Sequence, residues 1–239
     1  MTYKEPTETI ARYLEALFYI EAEGEVARGA RLADWLGVSR PTVTMALRRM
    51  SRDGLVRVTK HEIALTKTGK AEAAAVVRKH RLMERWLTDA LGLDWVTADQ
   101  EAARLEHAVS DAVVERLFEV LGHPTTCPHG NPIPGYGVAD PTEVRLGTIA
   151  PSTVARVSRV SEVAEREAPA LLAYLQERGL IPGAELAIRE TDTVGRTLRF
   201  EVKGAEFVLS RETADKVWVV PSAPKALARS VRSNRLRER

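Results

Sequence analysis

Apolar residues recur at helical spacing at Ile10, Leu14, Leu17, Phe18 and Ala22, so residues 7 to 23 are expected to form an amphipathic helix. Residues 31 to 36 repeat the pattern over a shorter length, and Gly37 supplies the left-handed stop. Ser39 is placed to cap a third helix, PTVTMALRRMSRDG, with Pro41 in its first turn and Gly54 at its end. Residues 55–59 and 63–66 then alternate as two short strands joined by Lys60-His61-Glu62. Two helices linked by the tight turn GVS, followed by a hairpin, make a winged helix-turn-helix.

Further on, the period returns to that of a helix. Residues 68 to 91 read as one long helix and residues 98 to 121 as a second. Leu82, Trp86, Leu87, Leu91, Leu105, Val109, Val113 and Leu117 make both apolar enough for a dimer core. Proline and glycine between 132 and 142 mark a linker. Beyond it, residues 152–157 alternate as a strand, a short helix covers 169–178, and LRFEV, GAEFVLS and KVWVVP read as strands.

Composition narrows the class. The chain has 239 residues, 44% hydrophobic and 28% charged, which suits two or three small globular domains. Its apolar runs are too short for a membrane span, and the N-terminus lacks a secretory apolar core, so a cytoplasmic protein with no membrane partner is expected. The single cysteine, Cys127, excludes an intrachain disulfide and fits a reducing compartment. The net charge of +2 hides an asymmetry. Residues 26–60 hold eight Lys/Arg against two acids, and the last fifteen residues hold six against one, leaving a net negative body. A basic lobe on a helix-turn-helix implies duplex DNA as partner. Arg31, Arg48, Arg49 and Lys60 are candidates for phosphate contacts, and Ser39, Arg40, Pro41, Thr42 and Thr44 stand near base edges. A helix-turn-helix used only for protein contacts is the alternative.

The long helices carry ligand chemistry. His80 and Glu84 are four apart and share a helical face. Asp99, Ala103, Glu106 and His107 fall at i, i+4, i+7 and i+8 of the next helix. Imidazole nitrogens and carboxylate oxygens suit manganese, ferrous iron, cobalt or zinc. A single His-x-x-x-Glu is more often a surface pair, and Glu106-His107 alone reads equally as a hydrogen-bonded pair at a helix interface.

Taken together, VVRKHRLMERWLTDALGLDW, EAARLEHAVSDAVVERL and HGNPIPG, preceded by YLEALFYIEAEG, SRPTVTMALRRMSRDGLV and LTKTGKAEA, resemble the iron- and manganese-dependent repressors of the diphtheria toxin repressor family over residues 7 to 137. The resemblance implies a non-enzymatic homodimer, paired through its helical domain, that binds an operator when Mn²⁺ or Fe²⁺ is available and lowers transcription of uptake genes. It implies that His80, Glu84, Glu106 and His107 are metal ligands, that Glu15 is the first-helix carboxylate of the manganese-sensing branch, and that Asp99 stands where many members have histidine. Two positions depart. Arg12 replaces a methionine or aspartate ligand, and Ala103 replaces a cysteine or glutamate; neither side chain can ligate. Arg12 then either supplies charge near Glu106 or turns outward, leaving Glu8 or Glu15 to take over. Retained metal binding through a changed ligand set is the preferred reading, with Mn²⁺ favoured by the hard donor set and Fe²⁺ as the alternative.

LLAYLQERGLIPGAEL looks like the SH3-like barrel of ferrous-transport-A type that many members carry, and Glu167 matches a position from which that barrel donates a carboxylate. The expected fold is therefore mainly α with β. It comprises a winged helix-turn-helix (1–73), a helical metal-binding and dimerisation domain (74–143), an SH3-like small β-barrel (144–222) and a basic tail (223–239). Two rivals are set beside this. A metal-independent DNA-binding regulator is made plausible by Arg12 and Ala103. A metallohydrolase would need an open coordination position beside a cleft and a general base; the sequence offers no HExxH, nucleophile elbow or phosphate loop, and the helix-turn-helix would go unexplained.

Overall fold

In the computed structural model of the chain, residues 6–162, 164 and 169–222 are described. Glu167 and the basic tail lie outside these residues. The first helix, α1 (Glu8–Ala22), buries Ile10, Leu14, Leu17 and Ile20 on one face, as its spacing requires. The helix-turn-helix follows as α2 (Gly29–Leu36) and α3 (Arg40–Arg52). Gly37 takes φ +64° to end α2, a conformation that costs glycine little. The Ser39 hydroxyl accepts the Thr42 amide at 3.3 Å, which fixes the start of α3. Strands β1 (Val56–Val58) and β2 (Ile63–Leu65) pair antiparallel, with Val56 opposite Leu65. Their inward residues Val56, Ile63 and Leu65 join α1, α2 and α3 in one core.

Helix α4 (Lys67–Asp89) is the spine. It enters that first core through Ala73 and Val77, and further along it carries His80 and Glu84. Its start is set by a close approach: a Cβ at Gly69 would stand 1.9 Å from the Leu55 carbonyl oxygen, so only glycine fits under the wing.

The expected helix over 98–121 is two helices, α5 (Trp95–Leu105) and α6 (Asp111–Val120). Asp94 caps α5 through the Thr97 amide, and Ser110 takes an extended conformation ahead of α6, with Asp111 in its first turn. A Ser-Asp pair favours a helix start over a helix interior because both side chains compete for backbone hydrogen bonds. Glu106 is thus the C-cap of α5, and His107 sits in the turn after it. Of the apolar residues expected at a dimer seam, Leu82 and Leu87 are buried within the chain. Leu91 and Val113 are exposed, and Trp86, Leu105, Val109 and Leu117 are partly covered.

The C-terminal unit is a six-stranded antiparallel sheet with order β3-β8-β4-β5-β6-β7. Its strands are β3 (Val144–Arg145), β4 (Val154–Val160), β5 (Glu185–Asp192), β6 (Thr197–Val202), β7 (Ala205–Ser210) and β8 (Val217–Pro221). Helix α7 (Pro169–Glu177) lies between β4 and β5, and the short α8 (Arg211–Ala214) between β7 and β8. Phe200, Leu186, Ile188, Leu175 and Val219 fill its core, and Trp95 of α5 joins them. Register slips between Val157 and Arg159 of β4, a bulge beside Gly130. A Cβ at Gly130, where φ is +89°, would stand 2.2 Å from the Ser158 carbonyl oxygen, so the 127–131 loop docks directly on the bulge.

A buried charge network joins the two ends of the chain. The Glu23 carboxylate, just past α1, accepts from Arg159 Nη1 at 3.0 Å, Arg145 Nη2 at 3.1 Å and Trp218 Nε1 at 3.3 Å. Both guanidinium groups lie over the Trp218 ring, and Arg159 Nε donates to Glu143 at 2.8 Å.

Candidate metal centre and nucleic-acid interface

His80 stands at the junction of α1, α4 and α5 and is 4% exposed. Its two ring nitrogens face different partners. Nδ1 is 2.7 Å from Glu106 Oε2 and 3.8 Å from Glu15 Oε1. Nε2 is 3.4 Å from Asp99 Oδ1 and 3.6 Å from Glu84 Oε1. Helical spacing places Glu84 one turn beyond His80, the α5 C-cap delivers Glu106, and the buried stripe of α1 turns Glu15 inward. Glu15 also accepts from Tyr19 Oη at 3.0 Å.

Glu84 reaches a third set of donors. Its Oε1 is 3.3 Å from His129 Nδ1, and Cys127 Sγ lies 3.9 Å from that same nitrogen. Cys127 and His129 were not among the sequence candidates. Their signal was CPHG, two ligand-type residues two apart in a proline- and glycine-bounded loop, which reads alone as a linker. Trp95 packs its edge on the His129 ring with centroids 4.9 Å apart. Next to His80, Arg81 forms a buried ion pair with Glu162, another residue the sequence did not single out. Arg81 also donates to the Pro132 carbonyl, so α4, the 127–132 loop and the C-terminal sheet meet at one guanidinium.

Among the described residues, three donor groups run along α4, each with atoms close enough to share an ion: Glu15–His80–Glu106, His80–Glu84–Asp99 and Glu84–Cys127–His129. Electrostatics agrees with cation binding. Burial opposes a charged His80, yet the Glu84 charge and the contacts to Asp99 and Glu106 prevail and raise its pKa well above the ordinary value. Burial would raise Glu84, but the neighbouring imidazoles His129 and His80 hold it far below the usual carboxylate range. Burial and the Glu84 charge push the Cys127 thiol up to about 11. The buried Glu84 Oε1 has no well-formed hydrogen bond, an oxygen in need of a strong partner. A divalent cation fits this donor chemistry. The first two groups offer nitrogen and oxygen alone, whereas the third adds a thiol, softer than the all-N/O set expected.

The remaining candidates lie as follows. His107 Nε2 contacts Glu106 Oε1 at 3.3 Å and faces a cavity of about 360 Å³ shared with Glu8, Glu72 and Lys79. It enters none of the three donor groups. Arg12 is exposed between buried Ala11 and Tyr13, and Glu106 is engaged by His80 instead, so the outward placement holds. Ala103 lines a second cavity of about 420 Å³ that leads to Glu15, His80 and Asp99.

On the opposite lobe, Ser39, Arg40, Pro41, Thr42, Thr44, Arg48, Arg49 and Lys60 are all exposed. Ser39 and Thr42 pair through their hydroxyls at 2.8 Å, and Thr44 Oγ1 donates to the Arg40 carbonyl at 3.0 Å. Arg31 lies over the Trp35 ring and contacts Glu25 at 3.4 Å, and Arg49 is 3.8 Å from Asp53. Met45, 71% exposed on the same helix, was not a sequence candidate and adds an apolar tip to this face. Among the described residues no helix is long and apolar enough to cross a membrane.

Comparison with known proteins covers each part of the chain. The models for the iron-dependent repressor N-terminal DNA-binding domain, the iron-dependent repressor metal-binding and dimerisation domain, and the FeoA domain match residues 5–64, 66–135 and 144–221. The iron-dependent repressor IdeR of Mycobacterium bovis is 40% identical over 206 residues, covering 81% of this chain and 89% of that protein. The diphtheria toxin repressor of Corynebacterium efficiens is 48% identical over 133 residues, covering 55% of this chain and 58% of that protein. A solved manganese-dependent transcriptional repressor in complex with manganese superposes with a TM-score of 0.80 at 30% identity, covering 89% of this chain and all of that one. The chain belongs to the iron-dependent repressor family of metal-dependent, DNA-binding transcriptional regulators.

Proposed function

We propose that this regulator represses metal-uptake genes as a homodimer that grips its operator when a divalent cation, Mn²⁺ or alternatively Fe²⁺, fills the donor groups along α4. The observation that carries this is the placement of His80, buried between four carboxylates on the helix that also forms the floor of the helix-turn-helix core. An ion there links α1 through Glu15, α4 through His80 and Glu84, and α5 through Glu106 and Asp99. The population moves toward the arrangement in which both recognition helices match half-sites, because the ion binds that arrangement more tightly. The N/O groups suit Mn²⁺, and the thiol of Cys127 extends the range toward Fe²⁺.

In this reading residues 1–73 bind DNA, 74–143 bind metal and pair, 144–222 dock on the metal helix through the Glu162–Arg81 pair and on the end of α1 through Arg145 and Arg159 against Glu23, and 223–239 form a basic tail. The exposed Leu91, Val113 and Val120 supply apolar surface for the homodimer. Arg48, Arg49 and Lys60 contact phosphates, while Ser39, Arg40, Pro41, Thr42 and Thr44 approach bases, with Met45 placed against a thymine methyl. The protein acts in the cytoplasm. The test is fluorescence anisotropy of a duplex from its own promoter, titrated with protein in Mn²⁺ and then in chelator. Tight binding in Mn²⁺ that chelation reverses is expected, and equal binding in both would make it a metal-independent regulator.

A further inference from the structure

Nothing in the packing of α3 calls for an apolar residue at position 45. Val43, Leu47 and Met50 turn into the core, whereas Met45 is 71% exposed. Pro41, also apolar and exposed, is accounted for by the helix start, where its missing N–H costs nothing. A lone exposed methionine is ordinary on most surfaces. Here it stands in the middle of the face assigned to the operator, one turn beyond Pro41 and one turn before Arg48 and Arg49. The helix offers little else for reading bases by hydrogen bond. Its sequence RPTVTMALRRMSR contains no Asn, Gln, Asp or Glu, the side chains that pair with adenine or cytosine in the major groove. Its hydroxyls are partly spent. Ser39 and Thr42 bond to each other at 2.8 Å, Ser39 also accepts the Thr42 amide at 3.3 Å, and Thr44 gives its hydrogen to the Arg40 carbonyl at 3.0 Å. Arginine remains for guanine and phosphate. An apolar tip has one partner in that groove, the C5 methyl group of a pyrimidine. Thymine carries that group and so does 5-methylcytosine, whereas uracil and unmodified cytosine do not.

We propose that Met45 makes operator recognition depend on a pyrimidine C5 methyl group, so that this regulator responds to cytosine methylation as well as to base sequence. This rests on the reading that α3 enters the major groove, and it adds a chemical class of ligand, the 5-methylpyrimidine. A flexible thioether follows the methyl group without demanding either hydrogen-bond pattern beside it, because its sulfur is a weak acceptor and no donor. At the Met45 position the methyl group carries the preference, rather than the O4 acceptor of thymine or the N4 donor of cytosine. Burying one such group changes affinity by about fourfold, and by about 15-fold where a symmetric dimer buries one in each half-site.

The experiment starts from a duplex that the full-length protein selects from a random pool in Mn²⁺. Its affinity is measured by fluorescence anisotropy for wild type, Met45→Ala and Met45→Leu; the side chain is exposed, so neither change disturbs the core. Each thymine is first replaced singly by uracil, which removes a methyl group and nothing else. At the position where wild type loses affinity and Met45→Ala does not, the base pair is then made thymine–adenine, uracil–adenine, cytosine–guanine or 5-methylcytosine–guanine. For wild type, thymine over uracil and 5-methylcytosine over cytosine are expected to give the same gain, about fourfold per half-site. Met45→Leu keeps that gain and Met45→Ala loses it. The proposal is overturned if no thymine shows a methyl effect that Met45→Ala abolishes, or if 5-methylcytosine gains nothing over cytosine there. Failure of the DNA-binding reading itself gives a different result, no duplex enriched by the selection.

Discussion

The Glu23 carboxylate and the Arg159 guanidinium lie 3.0 Å apart, both buried, although 136 residues separate them. Glu23 follows the helix that carries Glu15, and Arg159 follows the β4 bulge on which the Cys127–Asn131 loop rests. Arg159 also reaches Asn131 Oδ1 at 3.3 Å, and Asn131 Nδ2 donates to the Val160 carbonyl at 2.9 Å. The contact thus ties the DNA-binding lobe, the loop of the thiol donor and the C-terminal sheet to one another.

Glu23→Ala removes the anion shared by the buried Arg159 guanidinium and the partly exposed Arg145 guanidinium. Breaking a buried pair from one side costs about 3 to 5 kcal/mol, because the partner charge is left unmet. Urea denaturation of the metal-free protein is expected to show a loss of that size. A change below about 1 kcal/mol would mean that water replaces the carboxylate.

Stability and metal uptake respond to pH in opposite ways at the centre. Glu84 is held below its unfolded value of 4.5, so its stabilisation is present above that value and lost as pH falls. His80 is raised above its unfolded value of 6.5, so its stabilisation is complete below 6.5 and lost as pH rises through the raised value. The metal-free protein is expected to be most stable in the window between them, by thermal melts in chelator across pH. Mn²⁺ must displace the His80 proton, so its affinity falls by about tenfold per unit of pH decrease, including above pH 6.5. A flat affinity between pH 6.5 and 7.5 would show that no such proton is displaced.

Cys127→Ser keeps the size of the side chain and removes the soft donor. Binding of Co²⁺ or Zn²⁺ at this group is expected to weaken by about 10- to 100-fold, the scale seen when a metal site's immediate surroundings are altered, whereas Mn²⁺ changes little because it favours oxygen. Competition against a chromogenic chelator measures both.

Arg48→Ala and Thr42→Ala separate phosphate from base contacts. Loss of Arg48 is expected to weaken all sequences alike and to lower the slope of log affinity against log salt by about one per subunit. Loss of Thr42 weakens the cognate operator alone, by about 1 to 3 kcal/mol per half-site if its contact is to a base. Anisotropy titrations at several salt concentrations distinguish the two patterns.

Gly69→Ala drives a methyl group into the Leu55 carbonyl oxygen. Overpacking of this kind costs about 1 to 3 kcal/mol, despite the higher helix propensity of alanine. A more stable variant in thermal melts would show that the wing yields without penalty.

The periodic parts of the fold were legible. Helices α1 to α4, the wing and the C-terminal strands follow from spacing, caps and alternation, since each buries the face its pattern marks. The break after Glu106 was harder to see. Leu105, Val109, Val113 and Leu117 keep helical spacing through it, and only Ser110-Asp111 marks the restart. His80, Glu84, Asp99, Glu106 and Glu15 converge because their helical faces do. Cys127, His129, Glu162 and Glu23 were not legible, because no local period connects a loop, a sheet edge and a helix end. The loop docked on the β4 bulge at Gly130 brings Cys127 and His129 to α4, the pair with Arg81 brings Glu162 there, and Glu23 meets Arg159 past the end of α1.

Helix α4 is a lever as well as a spine. Gly69 fixes its end beneath the wing, and His80 sits eleven residues on, about 16 Å along the axis. A tilt of about 5° at the ion displaces the wing end by about 1.4 Å over that arm, half the length of a hydrogen bond. For an operator grip proposed to depend on an ion at His80, a rotation of this one helix by a few degrees would be felt at the wing.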